Sequence, residues 1–245
     1  MAATDVRPRP DTGRQREPEA GAPAPVARPL VVVEVLLFLA LALLAAIAYE
    51  PVFESWGTFV GPVGGAVVAA TLLSVVLNRR RVPARFAVLA SLVGVTLYLS
   101  YTVLVQELTA GVVPGPDTLD AIRDGIAHGW QDILDETLPV LDADPPLVWL
   151  CTVAWIVAHL SADVVQRTRL VAVPIVPPLV LFGLSLPLIS AVADPPLWLV
   201  AAFVAVALAG VLVRAVPDTR PVRPTTASPT ARNASGTRPG GPTRR

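Results

Sequence analysis

Residues 30–49 read LVVVEVLLFLALALLAAIAY, a run of twenty residues with a single charged side chain, Glu34. A helix needs about 20 predominantly apolar residues to cross the hydrocarbon core of a bilayer. Five further segments have this character, and the six predicted spans are residues 30–49, 58–77, 85–105, 146–165, 170–189 and 194–213. The runs are continuous and do not alternate as barrel strands do. The sequence therefore predicts an all-α fold, a polytopic membrane bundle of six transmembrane helices.

Composition supports a chain that faces lipid. Hydrophobic residues make up 53% of the 245 residues and charged residues 16%, whereas soluble domains average about 25% charged. The formal net charge is zero, so no nucleic-acid partner is expected. The single cysteine, Cys151, excludes an intramolecular disulfide and a cysteine-based metal cluster. We expect no cofactor and no metal.

The two ends of the chain differ from the middle. Residues 1–28 and 215–245 are rich in Pro, Arg, Thr, Ala and Gly and contain no aromatic side chain, a composition typical of disorder. Between them, residues 29–214 form the predicted six-span membrane domain. The charged region before the first span is too long for a signal peptide, so we interpret that span as an uncleaved anchor.

Arginine placement predicts the orientation. The basic residues are all arginine, and they precede the first span, separate the second from the third and the fourth from the fifth, and follow the sixth. The alternate loops contain one arginine, Arg123, and most of the acidic residues. Cytoplasmic loops are enriched in basic residues, so both termini are predicted to be cytoplasmic. The arginine-only, alanine- and proline-rich composition suggests a bacterium, hence its cytoplasmic (inner) membrane.

The longest external loop contains a predicted amphipathic helix at about 117–139. Apolar residues recur there at helical spacing, and the opposite face is acidic. The apolar set is Leu119, Ile122, Ile126, Trp130, Ile133, Leu134 and Leu138. Helices that lie on membrane surfaces usually carry basic residues, so this helix is expected to pack on protein. Its acidic face is either a docking surface for a separate envelope protein or a solvated cap over the bundle.

Small residues and prolines mark two of the spans. Gly57, Gly61 and Gly65 recur at four-residue spacing in the second span, which allows close helix approach; we expect the partner to be another helix of this chain. The fifth span contains four prolines, which are predicted to kink it. They are Pro174, Pro177, Pro178 and Pro187. Because broken spans can line transport paths, a small transporter or channel subunit is the alternative function.

The stretch AWIVAHLSADVVQRTR at 154–169 contains the most suggestive polar group. His159 and Asp163 lie four residues apart, and Arg167 follows four residues later. The pair could be a proton relay, half a metal site or part of a membrane hydrolase, which would need a second polar cluster at the same depth. The order Asp163 before Arg167 favours a helical ion pair. We interpret the group as a lock at the cytoplasmic end of the helix, with no catalytic role.

Residues 130–189 join an acidic helix, a Pro-bearing entry, a span that ends in a polar group, an Arg turn and a Pro-rich span. The positions that carry this order are Pro145, Pro146, Asp163, Arg167, Arg169, Pro174, Pro177 and Pro187. The pattern resembles the N-terminal membrane domain of bacterial transglutaminase-like (TgpA-type) membrane proteins, over roughly residues 30–214.

The resemblance implies an extracytoplasmic transglutaminase-like domain with a Cys-His-Asp site, and here the chain departs from the family. The disordered tail is predicted directly after Arg214, and Cys151 lies in an apolar helix with no histidine a turn away. No catalytic residue carries over. We therefore expect a non-catalytic anchor or interaction module of the cell envelope that acts beside a separately encoded domain. The chain is either a stand-alone membrane domain or the front piece of a split or truncated gene.

Overall fold

The computed structural model describes residues 28–53, 55–109, 113–135, 144–168, 170, 172–192 and 196–215. Its helices are α1 (Arg28–Ile47), α2 (Trp56–Arg79), α3 (Ala84–Thr102), α4 (Pro116–Asp135), α5 (Asp144–Arg167), α6 (Val176–Val192) and α7 (Leu197–Ala215). Short 3-10 helices cover Glu50–Val52, Val105–Glu107 and Val173–Ile175. Two-residue strands, β1 (Leu108–Thr109) and β2 (Val113–Pro114), pair antiparallel.

Six of these seven helices are long and apolar enough to cross a membrane. The exception is α4. The predicted helical membrane bundle is confirmed, apart from the small β1–β2 pair. Helix ends agree with the predicted spans to within three residues, except in the fifth span. The predictions of disorder at 1–28 and 215–245 fall almost wholly on residues outside the described part, as do residues 136–139 of the predicted external helix.

The fifth span corrects the expectation of a proline-kinked helix. Pro174 lies in the 3-10 helix, and Pro177 and Pro178 lie in the first turn of α6. Backbone N–H groups in a first helical turn have no intrahelical acceptor, so proline removes no hydrogen bond there. Of the four prolines, Pro187 alone lies inside the helix. The predicted kinks at the other three positions are wrong: these prolines begin a helix that starts six residues later than expected.

Helix α5 is the centre of the bundle. About 67% of its spanning window is buried, against at most 39% for any other span, and it contacts α1, α2, α3, α4 and α6. Ala154, Ala158 and Ala162 are among its buried residues, and small side chains let helix backbones approach closely. A helix buried over most of its surface needs no pronounced amphipathic stripe, which is why its sequence resembled an ordinary span.

The outward surfaces of the other helices are apolar. Leu72 of α2, Leu92 of α3 and Leu212 of α7 are each 60% to 65% exposed. Contiguous apolar surface of this kind marks contact with lipid or another protein. Together with the length of the helices, it makes this a multi-pass membrane protein.

Three hydrogen bonds from aromatic side chains connect the helices within the bundle. The hydroxyl of Tyr49, fully buried after α1, donates to the carbonyl of Leu181 in α6 at 3.0 Å. The hydroxyl of Tyr98 in α3 donates to the carbonyl of Pro62 in α2 at 2.6 Å. The indole Nε1 of Trp155 donates to Ser91 Oγ at 3.0 Å. Each bond satisfies a polar group that would be costly to leave unpaired in an apolar setting.

Candidate functional site

The first candidate site is a polar seam where α2 and α5 both end. Asp163 Oδ1 accepts a hydrogen bond from Arg167 Nε at 2.7 Å and another from Asn78 Nδ2 at 2.9 Å. Asn78 Nδ2 also reaches the Ser74 carbonyl at 3.2 Å. The predicted Asp163–Arg167 ion pair is therefore present, and the carboxylate also bonds directly to α2.

His159 is the second contact of this seam and does not form a dyad with Asp163. Its ring faces the backbone of Ala70 in α2, and its side chain is almost fully buried, with Nδ1 lacking a hydrogen-bond partner. Among the hydrogen bonds of the described residues, none joins His159 to Asp163. Ser74 Oγ is also buried without a partner. The described hydrogen bonds therefore join α5 to α2 through Asp163 and Asn78 and do not link His159 to Asp163.

Arg214 forms a third polar contact at the same end of the bundle. Its Nη2 donates to the carbonyl of Thr168, just after α5, and its guanidinium interacts with the Glu34 carboxylate of α1. Its Nη1 is buried without a partner. The start of α1 and the ends of α5 and α7 thus meet around one guanidinium. Arg169, which carried part of the family resemblance, lies outside the described residues.

Sequence reasoning missed Asn78 and Arg214. Polar side chains at membrane depth are rare and usually pair with one another or with backbone carbonyls. An amide in the last turn of the second span and an arginine in the last turn of the sixth were therefore available signals.

The glycine stripe of α2 is divided between two surroundings. A Cβ atom at Gly65 would collide with the ring and hydroxyl of Tyr98 in α3, so this glycine permits a close helix contact inside the chain. At Gly61 a Cβ would meet nothing within 4 Å, and at Gly57 it would meet only Ser55 of the preceding cap. The expectation of packing within the chain is correct for Gly65 and wrong for the other two, which lie on the exposed side of α2.

The second candidate site is the surface of α4, which crosses the first turns of α5. A Cβ at Gly129 would lie 2.5 Å from the carbonyl oxygen of Pro145 and 2.7 Å from Trp149 Cβ, and one at Gly125 would lie 2.7 Å from a methyl carbon of Val148. At distances this short a Cβ could be accommodated only if α4 or α5 shifted. The indole rings of Trp130 and Trp149 pack beside the crossing with centroids 4.9 Å apart.

This seating changes which face of α4 is buried. The buried residues are Thr118, Ile122, Gly125, Gly129 and Ile133, whereas Leu119, Ile126 and Leu134 are about half exposed. The helix is amphipathic and packs on protein, as predicted. However, the face that contacts α5 is centred on Gly125 and Gly129 and not on the large apolar residues. The closest approach to α5 is possible only through residues without side chains, so the larger apolar residues are displaced to the flank.

The outward face of α4 is acidic and exposed. Asp117, Asp120 and Asp124 lie one turn apart along it, and Asp124 accepts a bond from His128 Nδ1 at 2.9 Å. Arg123 is the basic residue of this helix. Within the described residues, no three His, Cys, Asp or Glu side chains gather as metal ligands would. This surface therefore presents a row of exposed carboxylates.

The two sites therefore differ in kind. The seam at the ends of α2, α5 and α7 is partly buried, and Asp163 bonds there to Arg167 and Asn78. The α4 face is exposed and carries the carboxylates of Asp117, Asp120 and Asp124, the last of which bonds to His128. The remaining reactive side chain, Cys151, is fully buried in α5. Comparison of the chain with protein-family models, with curated proteins and with solved structures found no match.

Proposed function

We propose that this chain is a non-catalytic module of a bacterial cytoplasmic membrane, with both termini cytoplasmic, that acts as an anchor or interaction partner in cell-envelope processes. The observation that supports this most is the seating of α4. Gly125 and Gly129 fix the helix on α5 with no space for adjustment, and its carboxylates are thereby held outward.

A fixed charged surface suits recognition. A binding surface that is already ordered loses little conformational entropy on association. The row Asp117, Asp120 and Asp124, opposed by Arg123 alone on the described helix, favours a partner with a basic surface, because complementary charge accelerates encounter and sets specificity. By the family resemblance, the partner is a separately encoded extracytoplasmic protein with a transglutaminase-like Cys-His-Asp domain.

The proposed orientation agrees with the charges at the two ends of the bundle. Arg79, Arg80, Arg81 and Arg85 lie in the turn that joins α2 to α3, at the end opposite α4. The basic turn would face the cytoplasm under the positive-inside rule, which leaves the acidic helix on the external side, where an envelope partner is accessible.

Site-specific photo-crosslinking in cells tests the proposal. A photoreactive residue at Ala127, exposed on the acidic face of α4, should give a discrete adduct with an extracytoplasmic transglutaminase-like protein. The same residue at Leu92, on the lipid-facing side of α3, is the matched control and should not give it. The double variant Asp120→Asn/Asp124→Asn should remove the adduct while the thermal unfolding of the protein stays unchanged.

Two results would contradict this function. No discrete adduct from Ala127 in repeated trials would remove the partner, and an adduct of equal yield in the Asp120→Asn/Asp124→Asn variant would remove the electrostatic basis of docking. Both outcomes are interpretable because the substituted carboxylates are exposed and make no contact that holds the bundle together.

A small transporter is the second candidate, and one observation favours it. His159 Nδ1 and Ser74 Oγ are buried at the α2–α5 seam without hydrogen-bond partners, and unpaired buried polar atoms are found at sites that bind water or ions. Proteoliposomes provide the test. Proton or cation flux that the Asp163→Asn variant abolishes would establish transport, and equal leakage from protein-containing and empty vesicles would exclude it.

A further inference from the structure

The turn between α2 and α3 has an arginine at a position that glycine normally occupies. Three backbone bonds close the end of α2: Arg80 N to Val76 O, Arg81 N to Asn78 O and Val82 N to Leu77 O, each at 3.0 Å. The last two form the Schellman pattern. Its left-handed residue is Arg81, with φ of 54°.

Left-handed backbone is unfavourable for any residue with a side chain, and helices that end in this motif usually have glycine there. Arg81 is the one non-glycine residue with positive φ in the described part of the chain. A strained conformation that persists is a reason to look for a function of the side chain concerned.

Arg81 belongs to a cluster of four guanidinium groups, which we call the basic turn. Residues 79–85 read RRRVPAR, and Arg79, Arg80, Arg81 and Arg85 are all exposed. No described carboxylate forms an ion pair with any of them. Four like charges within seven residues repel one another, so an anion that binds among them relieves the repulsion.

The basic turn also lies at a defined depth. It joins two helices that are long enough to span a membrane, so its arginines lie at the membrane surface. Phe86 is 49% exposed and has the Arg85 guanidinium 4.9 Å from its ring centroid. Val88 and Leu89 follow at 65% and 58% exposed. Arginine side chains near helix ends extend their guanidinium groups to the interface, and the exposed apolar residues from Phe86 onward mark where the acyl chains begin.

We propose that the basic turn is a binding site for the phosphate group of an acidic phospholipid and that Arg81 is retained in its left-handed position to complete it. Arginine forks match phosphate geometry with paired hydrogen bonds, and the negative end of the α2 dipole favours cations at this position. The position of the turn between two spanning helices selects a lipid headgroup over a free phosphate. The inference requires a membrane-spanning chain and is independent of the proposed envelope partner.

The test uses the full-length protein in mild detergent, with thermal unfolding followed by reaction of the buried Cys151 thiol with a fluorescent dye. Micelles are supplemented with anionic phosphatidylglycerol, with zwitterionic phosphatidylcholine, or with soluble glycerol phosphate, which tests binding of a phosphate that is not attached to a lipid. Phosphatidylglycerol should raise Tm, and the other two additions should not.

Two variants of Arg81 separate charge from backbone strain. Arg81→Gln keeps the strain and removes the charge, so its Tm in phosphatidylcholine should match that of the parent. Arg81→Gly removes both, so its Tm in phosphatidylcholine should rise by about 2–4 °C, as expected for relief of strain in a chain of this size. In both variants the apparent affinity for phosphatidylglycerol should fall about fivefold, the factor that corresponds to about 1 kcal/mol for one basic residue at a membrane surface.

Arg123→Gln, at the opposite end of the bundle, is the control for general charge and should leave the phosphatidylglycerol response unchanged. An undiminished response in both Arg81 variants would overturn the proposal, since the acidic lipid would then act elsewhere on the chain. An equal stabilisation by glycerol phosphate would overturn the choice of a lipid headgroup.

Discussion

Replacement of Asp163 by alanine tests whether the α2–α5 seam holds the bundle together. The substitution removes the 2.7 Å bond from Arg167 and the 2.9 Å bond from Asn78. The Arg167 pair lies within one helix, and its side chains are 32% and 25% exposed, so it contributes about 0.3–0.5 kcal/mol. The Asn78 bond joins two helices and involves a charged acceptor, which contributes about 1.5–3 kcal/mol in water-soluble proteins.

Measured side-chain hydrogen bonds between membrane helices are weaker, at about 0.6 kcal/mol on average and up to about 1.7. The loss also leaves the Asn78 amide without its carboxylate acceptor. We therefore expect Asp163→Ala to lower the free energy of unfolding by about 1–2.5 kcal/mol. Asp163→Asn keeps an oxygen acceptor for Asn78 and loses the charge, so its cost should be smaller, about 0.5–1 kcal/mol.

The assay follows from the single cysteine of the chain. Cys151 is fully buried in α5, so a thiol-reactive dye labels it only after the helices separate. Midpoints of labelling against denaturant or temperature then give the change in stability. Asn78→Ala and the double variant Asn78→Ala/Asp163→Ala complete a cycle that isolates the bond between the helices.

Asp124→Ala is a matched control. Asp124 also has a basic partner four residues later, His128 at 2.9 Å, but these side chains are 66% and 57% exposed. Its loss should change stability by less than about 0.5 kcal/mol. The lock is refuted if Asp163→Ala costs no more than Asp124→Ala, or if the cycle gives no coupling between Asn78 and Asp163.

Two further predictions concern contacts inside the bundle. Gly129→Ala should destabilise the protein by about 1–3 kcal/mol, because the new methyl group would overlap the Pro145 carbonyl; Gly61→Ala, where the space is open, should be neutral or slightly stabilising, and equal effects at the two positions would contradict the described seating of α4. Tyr49→Phe should cost about 0.5–1.5 kcal/mol in the same labelling assay, because it removes the buried bond to Leu181, and an unchanged midpoint would show that this bond contributes nothing.

The six spans could be predicted because hydropathy is summed over about twenty residues, so one polar residue in an apolar run does not hide the span. The fifth span shows the limit of that signal. Pro174, Pro177 and Pro178 are compatible with either a kinked helix or a helix that begins among them, and the choice depends on where the first turn starts. That position is set by packing against α5 and α1, which the local sequence does not contain.

Glycines at four-residue spacing occur in both α2 and α4, and the spacing predicts close packing better in α4. The spacing of Gly57, Gly61 and Gly65 in an apolar span predicts a close helix contact at each, yet only Gly65 makes one. Gly125 and Gly129 have the same four-residue spacing in an acidic helix, and a Cβ at either would lie 2.7 Å or less from an atom of α5. Small residues at this spacing indicate close packing wherever two helices cross, and the polarity of α4 concealed it.

Helix α5 contributes residues to both candidate sites, which lie near its opposite ends. It meets α4 at Pro145–Trp149 and meets Asn78 through Asp163, positions fourteen residues apart or about 21 Å along a helix. Substitutions at that distance with no shared partner act additively. Asp163→Ala should therefore loosen the seam without moving α4, and the photo-adduct from Ala127 should persist in that variant. Loss of the adduct on Asp163→Ala would mean that the seam controls the acidic surface, and the assignment of a purely structural role to the seam would then be wrong.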